Sequence, residues 1–364
     1  MRILFAIWSR TTGGAERAVS LFSNELVKQG HEVLLVQAQF STHDYPVDDG
    51  VQVIGLQTQE QRNRLGRVLG RIACYRAIFR KYKPDVVIPF MGGVVNETFF
   101  ASRFMRLAFI STIRINPALA PSGRVFRWWR NTLNFLSDAV FVQNEAQRNY
   151  YPKFMHNRVF SVPNFVSPEY LANEACPGET LIRCAASGRL SPQKNHSLLI
   201  RAFVRAHAVF PQLRLSIFGE GELRGRLQCQ IDAAGAGEYI SLPGRTDDMC
   251  SALLETDMYI LSSNYEGMPN ALMEAMAVGL PCISTDCPTG PADLIVSGEN
   301  GILIPVGDED ALTSALLDMV QDPQKAKKMG QLARKHIHMN YSAQKIAAEL
   351  AAQCARFTRG GTNR

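Results

Sequence analysis

Residues 257–286 read DMYILSSNYEGMPNALMEAMAVGLPCISTD, and this stretch predicts one complete unit of an α/β fold. The apolar run DMYILSS is typical of a buried strand, and the loop NYEGMPN that follows it ends in a Gly-Met-Pro-Asn turn. The segment ALMEAMAVG then predicts a helix that ends at Gly279, and PCISTD predicts a second strand. A strand, a helix and a strand in this order form a parallel βαβ unit.

Two carboxylates flank the turn. Glu266 lies just before it, and Glu274 lies eight positions later, in the first turns of the helix. Backbone N–H groups at a helix N-terminus favour an anion such as phosphate, whereas two carboxylates in contact with that anion would repel it. We therefore expect the amides of residues 267–272 to face a phosphate, and the carboxylates to accept hydrogen bonds from neutral sugar hydroxyls beside it. The competing interpretation is a solvated pair of charges at a helix end. In either case we expect neither carboxylate to be buried in a core.

The alternation of short apolar strands and amphipathic helices extends over the rest of the chain. Strands are predicted at 3–8, 31–39, 85–90, 109–115 and 139–144 in the first half, and at 182–188, 213–219 and 240–244 in the second. Helices are predicted between them, among others at 14–31, at about 64–82 and at 190–211. This order is typical of parallel sheets covered by helices, so the fold class is α/β.

A change in composition divides the chain. Residues 171–180 (LANEACPGET) have the composition of a linker, and the strand–helix pattern starts again after them. A chain of 364 residues also suits two domains. We expect two Rossmann-like domains that face each other across a cleft, at 1–170 and 178–341. We also expect the last helix, at about 342–364, to cross back to the first domain.

The net charge of +6 is unevenly distributed. Residues 1–175 have a net charge of +8 and the remainder has −2, and residues 51–160 contain 17 basic against 5 acidic side chains. Such an excess indicates a phosphate-rich partner, either an anionic membrane surface or nucleic acid. No RNA- or DNA-binding motif accompanies the charge, so we expect no nucleic-acid partner.

The apolar runs of the sequence are too short for a transmembrane protein. The N-terminal apolar run is seven residues long and lacks a small-residue cleavage site, so we expect a buried strand and not a signal peptide. No apolar run reaches the roughly 18 residues that span a bilayer. The eight cysteines form no C-x-x-C pair and no zinc-like spacing, which favours free thiols in a reducing cytoplasm and no bound metal.

Glycine-rich loops follow several of the predicted strands. Gly13-Gly14 precedes the first long helix, but its spacing does not match the dinucleotide-binding pattern, and a tight turn without a ligand is an equal interpretation. In GRLSPQKN, Gly188 and Arg189 end a strand and Lys194 follows five residues later. An Arg fork and a Lys point charge beside a strand end suit a pyrophosphate, although surface cations are usually only solvated.

These segments together resemble a known family. EGMPNALMEAMAVGLPCISTD resembles the Glu-seven-residues-Glu motif of retaining family-4 glycosyltransferases of the GT-B fold. GGAER, GRLSPQKN, FGEGELR and NGILIPVGD occur in the order and spacing of that family, of the bacterial polysaccharide and lipid-linked glycan type. The likeness covers nearly the whole chain and is densest at 180–310. It implies a nucleotide-sugar donor held mainly by the second domain, an acceptor held by the first, and retention of anomeric configuration.

The resemblance also implies roles for individual residues. Arg189 and Lys194 would bind the donor diphosphate, Glu266 would contact the donor hexose, and Glu274 would contact the ribose. Donor contacts are further implied for Gly14, Gly188, Gly244, Arg245, Gly267, Met268, Pro269 and Asn270, with 243–246 beside the nucleobase, and an acceptor contact is implied for Glu16.

The chain departs from the family in one loop of the first domain. Many members have a histidine there, near the reacting sugar, whereas this chain has STIRINP with Arg114 or Asn116 at that place. Both are therefore catalytic candidates beside Glu266. A retaining transfer can proceed without the histidine, because the leaving diphosphate can take the acceptor proton while cations stabilise its charge.

Aromatic and basic residues interleave in the first domain, in RVFRWWRN (124–131), in FFASRFMRLAF (99–109) and in the basic helix at 64–83. Such a pattern is typical of interfacial membrane binding, and the alternative is that the aromatics are core and the cations solvated. The residues expected at a membrane or lipid acceptor are Arg124, Arg127, Trp128, Trp129 and Arg130.

The function expected from the sequence is transfer of a hexose or N-acetylhexosamine from a nucleotide-sugar, with a UDP-sugar as the first candidate. The acceptor would be a glycan on a lipid diphosphate at the inner face of the cytoplasmic membrane. No metal or other cofactor is expected, because no Asp-x-Asp pair lies near the proposed site. The alternatives are a soluble enzyme of this architecture, such as a disaccharide synthase or a sugar-nucleotide epimerase, and a non-enzymatic scaffold.

Overall fold

The structure, a computed structural model, describes residues 1–11, 13–56, 64–121 and 123–358. The chain forms two compact units, Met1–Asn164 with Ala343–Arg364, and Phe165–Ser342. The sequence placed the first boundary after residue 170. The division falls earlier because Val166 and Tyr170 are buried in the core of the second unit.

The described residues of the first unit form a seven-stranded parallel sheet in the order β3-β2-β1-β4-β5-β6-β7. The order reverses between β1 and β4, which makes their carboxyl ends the topological switch point of this sheet. The elements are β1 (Arg2–Ile7), α1 (Gly14–Lys28), β2 (Glu32–Gln37), β3 (Val51–Gly55), α2 (Arg64–Tyr82), β4 (Val86–Pro89), α3 (Gly92–Ser102), β5 (Ala108–Thr112), α4 (Arg124–Leu136), β6 (Ala139–Val142), α5 (Glu145–Asn149), a 3-10 turn (Lys153–Met155) and β7 (Val159–Ser161).

The second unit has a six-stranded parallel sheet in the order β10-β9-β8-β11-β12-β13. Its switch point therefore lies between β8 and β11. The elements are α6 (Pro168–Ala172), β8 (Arg183–Ser187), α7 (His196–Val209), β9 (Arg214–Phe218), α8 (Arg224–Ala233), β10 (Ile240–Gly244), α9 (Met249–Leu254), β11 (Met258–Leu261), α10 (Asn270–Ala277), β12 (Cys282–Thr285), α11 (Pro291–Leu294), β13 (Ile302–Ile304), α12 (Glu309–Gln321) and α13 (Pro323–Asn340).

The last helix, α14 (Ala343–Ala355), belongs to the first unit and packs against α1. The side-chain amide of Gln29, which follows α1, donates to the carbonyl oxygen of Gln344 at 3.0 Å. The sequence predicted that this helix extends to about residue 364, but residues 359–364 lie outside the described residues.

Burial on both faces explains why the strands are nearly continuous apolar runs. Along β1, Ile3 to Ile7 are fully buried, and β11 and β12 are fully buried as well. Helices cover each sheet with one apolar face; Phe22 and Leu26 of α1, for example, are fully buried. None of the helices in the described ranges combines the length and the hydropathy needed to cross a bilayer.

Several elements had no individual prediction, among them the edge strand β3 and the helices α3 and α4. The strand β3 is short and half-exposed, and α3 has no polar face that contrasts with an apolar one. The segment at 171–180 is not a linker between the units. Ala175 is buried in the core of the second unit, and the backbone N–H of Gly178 donates to Asp257 at 3.0 Å.

Candidate active site

The loops at the carboxyl edge of the second sheet are joined by backbone hydrogen bonds. The N–H of Gly219 donates to Gly244 at 2.7 Å, and that of Gly188 to Phe218 at 3.0 Å. Across the switch point, the N–H of Asn264 donates to Gln193 at 2.8 Å. The loops after β10, β9, β8 and β11 therefore form one continuous rim, in the order of the strands.

Glycine allows two of these loops to approach each other closely. A Cβ at Gly219 would lie 2.0 Å from the carbonyl oxygen of Gly188, and Gly219 has φ +137°. Gly188 itself has φ +147°, and the aliphatic stem of Lys194 covers it, with Cε 2.8 Å from the position of a Cβ. Gly219, in the segment FGEGELR, therefore has a packing role in the structure.

Lys194 and Glu266 meet at the switch point of the sheet. Lys194 Nζ lies 2.7 Å from Glu266 Oε1, and the two side chains are only 16% and 7% exposed. Lys194 comes from the loop after β8, and Glu266 from the loop after β11. The sequence assigned one to the diphosphate and the other to the sugar, and the structure pairs them with each other.

Two further residues hold the carboxylate of Glu266. The hydroxyl of Ser263 donates to Oε1 at 2.6 Å, and the side-chain amide of Gln193 lies 3.5 Å from Oε2. The same amide donates to the carbonyl oxygen of Tyr265 at 3.0 Å, which fixes its position. Oε1 is thus occupied and Oε2 is only weakly engaged, so Oε2 can accept a hydroxyl. Ser263 and Gln193 had no prediction, because nothing in SSN or PQK distinguishes them from surface residues.

Glu274, in α10, is buried, and so is Glu266. The expectation that neither carboxylate is buried in a core was wrong. The hydroxyl of Tyr259 lies 3.0 Å from the hydroxyl of Ser187, the last residue of β8. Burial raises the pKa of Tyr259, and the charge of Glu274 raises it further.

The Gly-Met-Pro-Asn turn lies beneath the loop that follows β12. Gly267, Met268 and Pro269 are buried, and Asn270 is half-buried as the first residue of α10. A Cβ at Gly290 would lie 2.7 Å from the carbonyl oxygen of Gly267. This packing defines the start of α10, and it depends on a loop that the sequence does not connect to the turn.

Arg189 and Arg245 are exposed cations of the rim. Arg189 follows Gly188, and Arg245 follows Gly244 at the end of β10, where Gly244 has φ +88°. Neither side chain forms an ion pair with any residue that the structure describes. Both remain available to an anion at the carboxyl edge.

The remaining candidates lie in the first unit. Gly14 is the first residue of α1, in a different unit from the other residues predicted to bind the donor. Glu16 is nearly buried, and its carboxylate turns back over Gly13, where a Cβ would lie 2.5 Å from Oε2. The structure thus shows Glu16 in contact with the N-terminus of its own helix.

Arg114 and Asn116 follow β5. The Arg114 guanidinium lies 4.6 Å from the centre of the Phe90 ring and donates to Asn164 at 3.0 Å. Its Nε and Nη2 atoms have no hydrogen-bond partner in the described part of the chain, and burial lowers the pKa of Arg114 to about 9. Asn116 is buried and accepts from the backbone N–H of Ala118, so it stabilises a turn.

In the ranges that the structure describes, no group of three or more His, Cys, Asp and Glu side chains is arranged to hold a metal ion. The cysteines are free thiols there, and five of the eight are buried. Burial raises the pKa of Cys184, Cys282 and Cys354, which keeps them protonated at neutral pH.

His196 next to this site gives a prediction on pH. It begins α7, is only 4% exposed, and neither ring nitrogen has a partner among the described residues. Burial, together with the charge of Lys194, lowers the pKa of His196 to about 3. Because the unfolded state binds this proton more readily, the stability that neutral His196 contributes is present above about pH 6.5 and is lost as the pH falls toward 3.

Lowering the pH from 7 to 4.5 should reduce the free energy of unfolding of the wild type more than that of His196→Leu. We expect the two reductions to differ by about 2 kcal/mol. Urea unfolding at both pH values measures the difference. Equal losses in the two proteins would show that His196 does not become charged on unfolding in this range.

Two family models together match most of the chain. The model described as Glycosyltransferase Family 4 matches residues 12–170, and the model described as Glycosyl transferases group 1 matches residues 178–336. The two matches fall on the two α/β units of the structure.

Similar proteins act on glycans. The chain is 25% identical over 328 residues to GalNAc-α-(1→4)-GalNAc-α-(1→3)-diNAcBac-PP-undecaprenol α-1,4-N-acetyl-D-galactosaminyltransferase of Campylobacter jejuni, covering 88% of this chain and 89% of that protein. It is 30% identical to an exopolysaccharide phosphotransferase of Streptomyces coelicolor over 54% of this chain, but this match spans only 21% of that longer protein.

Solved structures show the same fold. The crystal structure of HepE from Anabaena in complex with UDP and glucose has a TM-score of 0.81 at 18% identity, over 98% of this chain and 99% of that chain. At this identity the likeness concerns the fold, namely two parallel-sheet α/β domains of the GT-B type. With the two family models, it establishes that the chain belongs to the family-4 glycosyltransferases of the GT-B fold.

Proposed function

We propose that the protein transfers a hexose or N-acetylhexosamine from a UDP-sugar to a glycan acceptor, with retention of anomeric configuration and without a metal. The observation that supports this most directly is the Lys194–Glu266 pair at the switch point of the second sheet, between loops that backbone hydrogen bonds hold in place. Ligands of open α/β sheets bind at such points.

The chemistry follows from the charges of the rim. Lys194 gives one N–H to Glu266 and has two more for a diphosphate, and the exposed Arg189 can bind the same anion bidentately. Oε2 of Glu266 can accept a hydroxyl of the donor sugar. The N-terminus of α10 adds positive partial charge beside the phosphates. We propose contacts of Glu274 with the ribose and of Arg245 with the nucleobase region.

In the proposed reaction the bond from the anomeric carbon to the diphosphate oxygen breaks, and a bond to the acceptor hydroxyl forms on the same face of the sugar. The acceptor proton passes to the departing diphosphate, and Lys194 and Arg189 stabilise the charge that develops there. No side chain has to act as the base. Arg114, held in the first unit with two unpartnered nitrogens, would add a cation for the acceptor side of this reaction.

The stereochemistry and the metal requirement can be tested in one experiment. Purified protein is incubated with a UDP-sugar, an acceptor glycan and EDTA, and proton NMR follows the anomeric signal of the first product formed. We expect the product to have the anomeric configuration of the donor. Formation of the opposite anomer would contradict retention, and loss of activity that Mn²⁺ restores would contradict the metal-free reaction.

We propose further that the acceptor is linked to a lipid diphosphate, and that the protein associates with the inner face of the cytoplasmic membrane. The Campylobacter relative supports this, because its name specifies an undecaprenol diphosphate acceptor. The exposed face of α4 also supports it. Phe126 and Trp128 are 65% and 66% exposed there, next to Arg124 and Arg127.

The other two residues expected at this surface have contacts within the protein. Trp129 stacks on Phe100, with ring centres 6.2 Å apart, and its indole N–H donates to Asn96. Arg130 donates to the carbonyl oxygen of Ala120 and to the Tyr150 hydroxyl. Arg127 is half-buried and has one such contact, to the carbonyl oxygen of Pro121 at 3.3 Å. The membrane proposal therefore rests on Arg124, Phe126 and Trp128, with Arg127 beside them.

The membrane proposal predicts salt-sensitive sedimentation with vesicles rich in anionic lipid. Each cation near an anionic surface contributes about 1 kcal/mol, so the double variant Arg124→Glu, Arg127→Glu should release most of the protein at low salt. The matched control is Arg226→Glu, Lys328→Glu, which reverses two exposed cations of the second unit and should still sediment. If the wild type does not sediment at low salt, the soluble-acceptor enzyme is preferred.

A further inference from the structure

Ser262, Ser263 and Asn264 directly follow β11, at the switch point of the second sheet. Ser262 and Ser263 are only 2% and 0% exposed, and Asn264 is half-buried. Buried polar side chains are almost always hydrogen-bonded, because an unsatisfied one is costly in free energy. The partners of these three residues therefore indicate what the segment does.

Asn264 binds the loop that carries Lys194. Its side-chain amide donates to the carbonyl oxygen of Pro192 at 2.8 Å, and its Oδ1 accepts from the side-chain amide of Asn195 at 3.1 Å. Its backbone N–H donates to the carbonyl oxygen of Gln193 at 2.8 Å. Asn264 thus contacts three of the four residues from Pro192 to Asn195, and the fourth is Lys194.

Ser262 binds the same loop at Lys194 itself. Its hydroxyl donates to the backbone carbonyl oxygen of Lys194 at 2.9 Å. The main chain is therefore held at Lys194 and at Gln193, which precedes it. A free lysine side chain has many rotamers, and a fixed main chain restricts where its ammonium can lie. The ammonium lies 2.7 Å from Glu266 Oε1, and the lysine side chain is only 16% exposed.

Ser263 lies between these two residues and binds Glu266 instead. Its hydroxyl donates to Oε1 of Glu266 at 2.6 Å. Its own carbonyl oxygen accepts from the hydroxyl of Thr285, the last residue of β12, at 2.6 Å, so Ser263 is anchored to the neighbouring strand. Oε1 thus accepts from both Ser263 and Lys194, and two donors on one oxygen fix the rotation of the carboxylate.

We propose that Ser262-Ser263-Asn264 is a positioning segment with two separable roles. Ser262 and Asn264 place the Lys194 ammonium for the diphosphate of the donor, and Ser263 orients the Glu266 carboxylate for the donor sugar. The inference rests on the proposed function, since it takes the diphosphate and the sugar as the ligands of Lys194 and Glu266. Each of the three residues acts through the residue that it binds.

The two roles can be separated because UDP contains the diphosphate but no sugar. Ser262→Ala and Ser263→Ala are a matched pair, since each removes one hydroxyl from adjacent buried serines. Ser262→Ala should weaken UDP binding about fivefold, as expected for one hydrogen bond of about 1 kcal/mol. Ser263→Ala should bind UDP as the wild type does, but its kcat should fall about tenfold, because the lost hydrogen bond is to a charged carboxylate.

Asn264→Ala is expected to behave like Ser262→Ala and not like Ser263→Ala. It removes two side-chain hydrogen bonds to the loop of Lys194 and should weaken UDP binding about tenfold. Calorimetric titration with UDP and initial rates at saturating UDP-sugar and acceptor give the two quantities. The stoichiometry of each titration gives the folded fraction, to which kcat is normalised.

Ser284→Ala is the control for the loss of a buried hydroxyl. Ser284 is fully buried in β12, and its hydroxyl donates to the carbonyl oxygen of Thr285 at 3.0 Å, so UDP affinity and kcat should equal those of the wild type. The inference alone is overturned if Ser262→Ala and Ser263→Ala change both quantities in parallel, if the split is reversed, or if neither differs from Ser284→Ala. A wild type that binds no UDP contradicts the proposed function, and the inference with it.

Discussion

Replacing Glu266 by alanine should lower the rate of sugar transfer by about 100-fold or more, equivalent to about 2.7 kcal/mol of transition-state stabilisation. The carboxylate would lose its contact with the donor sugar, and Lys194 would lose the partner 2.7 Å away that positions it for the diphosphate. Initial rates with saturating UDP-sugar and acceptor measure the effect.

The same substitution should also destabilise the protein, by about 3 kcal/mol, because it leaves a largely buried Lys194 without its ion pair. Activity must therefore be measured below the unfolding temperature of the variant. Glu309→Ala is the matched control. Glu309 also forms a 2.7 Å ion pair, with Arg201, but on the outer surface of α12, so transfer should remain at the wild-type rate. A folded Glu266→Ala protein with wild-type turnover would contradict the assignment.

Gly219→Ala should destabilise the second unit by about 2–4 kcal/mol, through the combined cost of steric overlap and of a non-glycine residue at positive φ. The new Cβ would lie 2.0 Å from the carbonyl oxygen of Gly188, at φ +137°. Relief of the overlap requires the loop after β8 to move, and Lys194 lies on that loop. We therefore expect weaker UDP binding as well as lower stability.

Gly225→Ala is the control for this substitution, because Gly225 is exposed in α8 and a Cβ there meets nothing within 4 Å. Alanine favours a helix interior over glycine, by up to about 1 kcal/mol, so this control should not lose stability. Urea unfolding of the two variants gives the comparison. Equal stability of Gly219→Ala and the wild type would show that the two loops are not packed as described.

The sequence predicted the two-sheet fold because its buried strands are distinct apolar runs between amphipathic helices. It failed where that contrast is weak. The edge strand β3 is half-exposed, and polar and apolar residues of α3 are not separated on opposite faces, so neither shows the periodic alternation of hydropathy that predicts an element.

The contact between Glu266 and Lys194 could not be predicted from the sequence. Both residues were candidates with separate roles, but their contact joins residues 72 positions apart, and no periodicity in the sequence reports such a pair. The burial of Glu266 and Glu274 was wrongly predicted, because it too depends on packing between segments that are distant in the sequence. It results from the loop at Gly290, which packs on the turn, and from the position of β11 and α10 inside the unit.

Calorimetric titration of UDP into the wild type, Arg189→Ala and Arg214→Ala tests the central claim most directly. Both arginines are exposed, and they lie at opposite edges of one sheet. Arg189 follows the carboxyl end of β8, and Arg214 is at the amino end of the neighbouring parallel strand β9. If the carboxyl edge binds the diphosphate, Arg189→Ala should weaken UDP binding by about 1.5–3 kcal/mol, or roughly 10- to 100-fold, and Arg214→Ala should bind as the wild type does. No binding of UDP to the wild type, or equal binding to all three proteins, would contradict the account.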